Sequence, residues 1–244
     1  MSQTADSLYT AAGGLVAGLA AAGLWALRLR NLLARARARL RDLTRVVVNA
    51  HALVETLRDE RDTYHRQATE DDTTGLPNRR AAMSRLTAVA EARRPVGVIV
   101  VDLVGFKLVN DRLGHRAGNT LLSQVGERLR RLSRSDVFAA RLSGDEFTLI
   151  VHGDAARTAA VAGQAWRQIS QVPFTLDGRR VDVLASVGYT SSEQAGHDPD
   201  ALLHRADIAM YWSKANGGLV SGYAEHMGDL PADGRPRDWA PRNR

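Results

Sequence analysis

Two adjacent carboxylates, Asp145 and Glu146, stand in the stretch Arg141-Leu-Ser-Gly-Asp-Glu-Phe147. Apolar residues flank them on both sides, Val137-Phe-Ala-Ala140 before and Phe147-Thr-Leu-Ile-Val151 after. That pattern predicts two short strands joined by a tight turn at Ser143-Gly144, a β-hairpin with its acids at the tip. A third acid, Asp102, closes the apolar run Val96-Gly-Val-Ile-Val-Val-Asp102, and Gly105-Phe-Lys107 follows after two residues. If the two strands are neighbours, Asp102 and Asp145 converge. Hard oxygen ligands so arranged suit Mg²⁺ or Mn²⁺, which bind through one or two carboxylates, waters and substrate phosphates. The amides of the turn at Gly105 are suited to cradle a phosphate. Lys107 adds a compact positive charge there. Glu146 is placed to bind a second ion or to take a proton from an attacking hydroxyl. Together these are the parts of phosphoryl or nucleotidyl transfer. An isolated Gly-Asp-Glu would be read as a solvated acidic turn; the combination argues otherwise.

The elements that must position these groups follow from the pattern. The near-continuous apolar run at 96–103 predicts a buried central strand. Asn78 is placed to cap a helix over 79–92, after the turn marked by Gly75 and Pro77. Gly118 and Asn119 open an amphipathic helix reaching Leu132. Further helices are expected over 155–171 and 199–216, a strand over 181–189, and an edge strand over 219–223. Strands alternating with helices after residue 75 predict a layered α/β (α+β) domain.

Before that domain the chain reads differently. Residues 7–27 carry no charge and are just long enough to span a bilayer, at about 20 residues for ~30 Å. Arg28, Arg30, Arg35, Arg37, Arg39, Arg41 and Arg45 crowd the C-terminal flank, so a membrane span would leave the rest in the cytoplasm. From Leu33 the apolar positions step by three and four through Ala36, Leu40, Leu43, Val47, Ala50, Val54, Leu57, Tyr64 and Ala68. That seam, held for about five heptads, predicts a parallel two-stranded coiled coil. The expected division is 1–30 for an N-terminal segment with one transmembrane helix, 31–69 for the coiled coil, 70–224 for the α/β domain, and 225–244 for a disordered tail rich in Gly, Pro, Asp and Arg.

Composition narrows the function. The chain has 244 residues, no cysteine and a formal charge of +6. Disulfides, thiolate nucleophiles and zinc–thiolate sites are excluded. Arginine supplies nearly all the positive charge, since lysine occurs only at Lys107 and Lys214. The Ala- and Arg-rich usage suggests a bacterial source.

Thr74-Gly-Leu-Pro-Asn-Arg-Arg80, Val101-Asp102, Phe106-Lys107, Asn110-Asp111, Gly114-His115, Ser143-Gly-Asp-Glu-Phe147, Ser186-Val-Gly188 and Ala206-Asp207…Tyr211…Lys214 fall in one order along the chain. This ordered set resembles the GGDEF family, the bacterial diguanylate cyclases, over roughly residues 70–223. The resemblance implies a fold like the palm of adenylyl cyclases and polymerases. It implies condensation of two GTP into cyclic di-GMP with two divalent ions. By position, Asp102, the Leu103 carbonyl, Asp145 and Glu146 would hold metal, with Glu146 and Lys107 catalytic. Phe106, Lys107, Asn110, His115, Asn119 and Lys214 would contact the nucleotide, with Asn110 and Asn119 facing the base and His115 close by. Both lysines fall at phosphate positions. The expected partners are GTP, a second copy through the coiled coil and the bacterial cell membrane through a single span; nucleic acid is not among them.

Several positions depart from the family pattern. Ser143 replaces the first Gly of the signature, and Thr73 and Val104 replace a Leu and an Asp. Asn119 stands where an Asp reads guanine, Gly218 where an Arg contacts phosphate, and Val137 where an inhibitory Arg-x-x-Asp, begun by Arg134, would end. The ion and acid residues are intact, while base and phosphate recognition is expected to be weakened. The alternative to a cyclase is a catalytically degenerate module that binds nucleotide or cyclic di-GMP as a regulatory or dimerisation protein.

Overall fold

The structure is a computed structural model that describes residues 3–217 and 219–228, with side chains described from Gly18 onward, apart from Gly218. The chain divides into two units, Met1–Thr63 and Tyr64–Arg244. The first consists of helix α1 (Gln3–Thr69), which continues a few residues into the second. Its large apolar side chains are exposed, Leu43 at 63% and Val47 at 66% among them. The membrane span expected over 7–27 is not supported. Among the described residues no helix is long and apolar enough to cross a membrane. In 18–27 the large apolar residues are Leu19, Leu24, Trp25 and Leu27, set among Ala and Gly; the side chains of 7–17 lie outside the described residues.

The second unit is the expected layered domain. Its five-stranded sheet has the order β2-β3-β1-β6-β7. Strand β1 (Val96–Val104) is central, antiparallel to β3 (Glu146–His152) on one side and to β6 (Leu184–Ser191) on the other. Strand β2 (Val137–Ser143) pairs antiparallel with β3, and β7 (Val220–Gly222) parallel with β6. Alternation along β1 sends successive residues to opposite faces. Ile99, Val101 and Leu103 join the core beneath α3 (Phe106–Leu132) and α4 (Ala155–Ser170). Val98 and Val100 join Leu86 and Val89 of α2 (Arg79–Glu91) and Leu202, Ala206 and Met210 of α6 (Pro199–Ala215). Both faces are covered, which is why the run is apolar without interruption.

Local capping follows the sequence. Asn78 accepts from the Ala81 amide at 3.1 Å and starts α2. Asp154 does the same for α4 through the Arg157 amide at 2.8 Å. Three expectations need correction. Helix α3 begins at Phe106, twelve residues before Gly118, and carries a break at Gly114, whose φ of 83° is left-handed. The expected strand over 181–189 is two pieces, β5 (Arg179–Val181) and β6, and β5 pairs with β4 (Phe174–Leu176) in a separate hairpin. Between helix α5 (Ser192–Ala195) and α6, a short loop makes the connection. The expected tail from 225 starts with a 3-10 turn, Glu225–Met227; residues 229–244 lie outside the described residues.

Candidate active site

Strand β1 carries Asp102 at its C-terminal end, 6% exposed. Directly across the β1–β3 ladder stands Glu146. Asp145 occupies the β2–β3 turn one residue earlier, and its carbonyl accepts from the Leu103 amide at 3.3 Å. The hairpin and the strand end are thereby tied main chain to main chain. Gly144 in the turn has a φ of 50°, a conformation suited to Gly. The hydroxyl of Ser143 donates to Glu146 Oε2 at 3.2 Å, so the residue that replaces a glycine orients one of the acids.

The carboxylates of this cluster act on one another. Burial, then the charge of Asp102, pushes the Asp145 carboxyl above its ordinary value. Burial and then Glu146 push Asp207, on α6, up to about 6, with His204 opposing. The positive partner in this cluster is Lys214, whose Nζ lies 2.7 Å from Asp102 Oδ1. Sequence reasoning put Lys214 at a phosphate; in the structure it pairs with the buried aspartate. Asp207 was part of the quoted motif but had no role assigned, because a carboxylate on a helix gives no sign of the sheet it will face.

Beyond β1 the chain turns through Gly105, φ 76°, into the first turn of α3. Phe106 and Lys107 begin this helix, and the first amides of a helix have no intrahelical acceptor. Asn110 and Phe106 pack tightly on Gly118: a Cβ there would stand 1.9 Å from Asn110 Oδ1 and 3.3 Å from Phe106 Cζ. Farther along, His115 and Asn119 line a cavity of about 700 Å³ with Asp72, Thr73, Arg116 and Gln124. The structure therefore groups Asp102, Asp145, Glu146 and Lys214 at the sheet end, and His115 with Asn119 in a cavity that Asn110 does not line. Val104 is exposed at the strand end, and Val137 is buried at 4% in the core. Gly218 lies outside the described residues.

Sequence reasoning missed one clamp. Arg141 Nη1 donates to both oxygens of Asp71, at 2.8 and 3.0 Å, while its Nε and Nη2 donate to the Gly144 carbonyl at 3.0 and 2.6 Å. Burial disfavours charge on Asp71, yet hydrogen bonds from Arg141 and Thr74 outweigh it and hold the carboxyl below its usual range. The signal was present as an Arg two residues before the signature.

Among the described residues no three His, Asp or Glu side chains gather into a metal cage. The donor set is instead the crowded pair Asp102 and Asp145. Like charges that raise a neighbour's pKa are what a divalent cation relieves, and hard carboxylate oxygens suit Mg²⁺. The residues fit such an ion.

The sequence profile described as "Diguanylate cyclase, GGDEF domain" matches residues 68–219. The chain belongs to the GGDEF family. It is 36% identical over 172 residues to diguanylate cyclase DgcP of Escherichia coli, covering 68% of this chain and 50% of that protein. It is 34% identical over 220 residues to cyclic di-GMP phosphodiesterase NbdA of Pseudomonas aeruginosa, covering 88% of this chain and 27% of that one. The chain thus spans half or less of the length of these relatives. The solved coiled coil and GGDEF domain of DgcB from Caulobacter crescentus, in complex with c-di-GMP, aligns with a TM-score of 0.66 at 27% identity, covering 74% of this chain and 98% of that one. The mixed α/β layers and the hairpin that carries Asp145 and Glu146 are those of a GGDEF domain.

Proposed function

We propose that this protein is a diguanylate cyclase that joins two GTP molecules into cyclic di-GMP. In the reaction the 3′-oxygen of each GTP forms a bond to the α-phosphorus of the other, and two pyrophosphates leave. The observation that carries the reading is the cross-strand placement of Asp102 and Glu146, with Asp145 in the adjoining turn tied to Leu103. Mg²⁺ or Mn²⁺, when bound by Asp102, Asp145 and the Leu103 carbonyl, would supply charge neutralisation at the phosphates. Glu146 accepts the proton of the attacking 3′-hydroxyl, its orientation supported by Ser143. Lys107 and the first amides of α3 bind the terminal phosphates, Phe106 lines their approach, and Asn110 faces the base. Lys214, beside Asp102, is the cation that faces the phosphates. His115 and Asn119 hold the base.

Each domain holds one nucleotide, so ring closure requires two domains facing each other. The unpartnered seam of α1, with Leu40, Leu43, Val47, Val54 and Leu57 exposed, supports a coiled-coil homodimer. A second reading, nucleotide binding without turnover, is favoured by Asn119, which lacks the charge of the family's base-reading acid. Incubating the full chain with GTP and Mg²⁺ separates the two. A cyclase consumes GTP and releases pyrophosphate, and Glu146→Gln stops this while GTP still binds. A binding module shows GTP affinity with no pyrophosphate in either variant.

A further inference from the structure

Among the described residues two buried hydroxyls make no hydrogen bond, those of Ser186 and Ser191. Buried polar groups are nearly always paired, so each is an exception that needs a physical reason. Ser191 ends β6 opposite Gly97, at the far end of the sheet from the acids. Ser186 stands directly opposite Asp102 on the adjoining strand, and both are buried, Ser186 at 0% exposure. Glu146 faces Asp102 from the other side. One row across three strands therefore reads Glu146, Asp102, Ser186. We propose that Ser186 is a positioning residue whose hydroxyl donates to the Asp102 carboxylate and steadies it for the divalent ion, a role that rests on the reading of Asp102 as a metal ligand.

Directly opposed residues of an antiparallel pair send their side chains to the same face, with Cβ atoms about 4.5–5.5 Å apart. A serine hydroxyl lies one bond beyond its Cβ, and a carboxylate oxygen two bonds beyond its own. Rotation of the serine χ1 from one staggered well to another closes the gap to hydrogen-bond distance. Other partners are shut out. Two residues along β6, Gly188 shows what covers this face: a Cβ there would stand 2.0 Å from the Met210 amide nitrogen and 2.3 Å from the Ala206 carbonyl oxygen. Helix α6 thus lies directly on the strand and keeps water from Ser186. On the other side of β6 the Leu219 carbonyl already accepts from the Val187 amide at 3.1 Å and from the Ser213 hydroxyl. The carboxylate across the ladder is the stronger acceptor in any case, since hydrogen bonds to ionised groups are about twice as strong as neutral ones.

Lys214 already holds Asp102 Oδ1 from α6, at 2.7 Å. A carboxylate has about four lone-pair sites, so a hydroxyl from β6 can hold it as well and leave others for a cation beside Asp145. The two supports differ in stiffness. Lys214 is a long side chain, half-exposed, and spends much rotamer freedom on its contact. Ser186 reaches out from a buried strand through a single rotatable bond. Within Ser186-Val-Gly188, Gly188 admits α6 and so brings Lys214 to Asp102, while Ser186 supports the same carboxylate from the sheet.

The test reads metal binding without turnover. The 244-residue chain is titrated with Mn²⁺ alone, and free Mn²⁺ is followed by electron paramagnetic resonance. Ser186→Ala removes one oxygen atom and leaves the packing of the strand in place, so the variant is expected to fold. It is expected to bind Mn²⁺ about tenfold more weakly than the wild type, the range for removing a hydrogen bond to a metal-ligating group. Asp145→Asn should weaken binding as well. Urea unfolding with a chelator present gives the second readout. Ser186→Ala should lower the midpoint of the wild type and raise that of Asp102→Ala, where the hydroxyl has lost its acceptor. Mn²⁺ affinity kept by Ser186→Ala but lost by Asp145→Asn overturns the assignment and leaves the proposed function standing. Equal shifts of the urea midpoint in the two backgrounds also overturn it, because a hydroxyl that serves packing alone does not depend on Asp102. Mn²⁺ binding absent from the wild type, or not weakened by Asp145→Asn, overturns the proposed metal site and this assignment together.

Discussion

At the scale of single residues, the cluster around Asp102 is a crowd of carboxylates with one lysine. Its cost is paid in pH dependence. Burial, then the charge of Glu146, pushes the Asp207 carboxyl in the fold from its ordinary 3.8 up to about 6. The folded chain therefore holds that proton more tightly than the unfolded one. The stability this contributes is complete below 3.8 and is lost as pH rises through about 6. Asp207→Asn cannot ionise, so with a chelator present it should be more stable than the wild type at neutral pH. The expected gain is about 1–2 kcal/mol, the two-unit shift discounted for partial exposure. Urea unfolding across that pH range checks it; parallel curves for the two proteins would show that Asp207 is not strained by its neighbours. The acids at 102, 145 and 146 were legible in the sequence because each sits at a strand end or a Gly turn. Asp207 and the Lys214–Asp102 pair were not, because they depend on which face α6 turns towards the sheet. Gly118 was read as a helix start, whereas its lack of a side chain is what lets Asn110 and Phe106 pack there.

At the scale of elements, β1, α2, α6 and the β2–β3 hairpin were readable from period, caps and turn glycines. The β4–β5 hairpin was not. Its strands have three residues each, too few to show a period. The early start of α3 was hidden by Gly114, which looks like a breaker and is accommodated as a break within one helix. The turn at 71–75 and the hairpin are bound to each other by Arg141, and that contact spans 70 residues of sequence. Arg141→Ala would strand the half-buried Asp71 carboxylate and free the Gly144 carbonyl. The expected loss is about 2–3 kcal/mol, below the 3–5 typical of a fully buried pair. Thermal unfolding measures it. The double variant with Asp71→Ala should lose less than the two single variants combined, since both remove the same interaction. Strict additivity would mean that Arg141 and Asp71 act separately.

At the scale of the whole molecule, the account needs two copies. The proposed coiled coil rests on the heptad pattern of α1, whose exposed leucines and valines leave apolar surface to be covered. Replacing Leu43 and Val47 with Glu places like charges in that seam, which is expected to abolish self-association. Sedimentation of the full chain should show a dimer for the wild type and a monomer for the variant. Activity per molecule of the variant should then climb steeply with protein concentration. A monomeric wild type would remove the coiled coil from the account.

Everything proposed here turns on Asp102, Asp145 and Glu146 forming the centre of a cyclase. The most direct measurement is chromatographic detection of cyclic di-GMP after incubating the 244-residue chain with GTP and Mg²⁺, beside Asp145→Asn. The account predicts cyclic di-GMP and pyrophosphate in a one-to-two ratio from the wild type, and turnover lowered at least about a hundredfold in Asp145→Asn with its melting curve intact. Cyclic di-GMP formed equally by both proteins, or by neither when the wild type is dimeric and binds GTP, would contradict it.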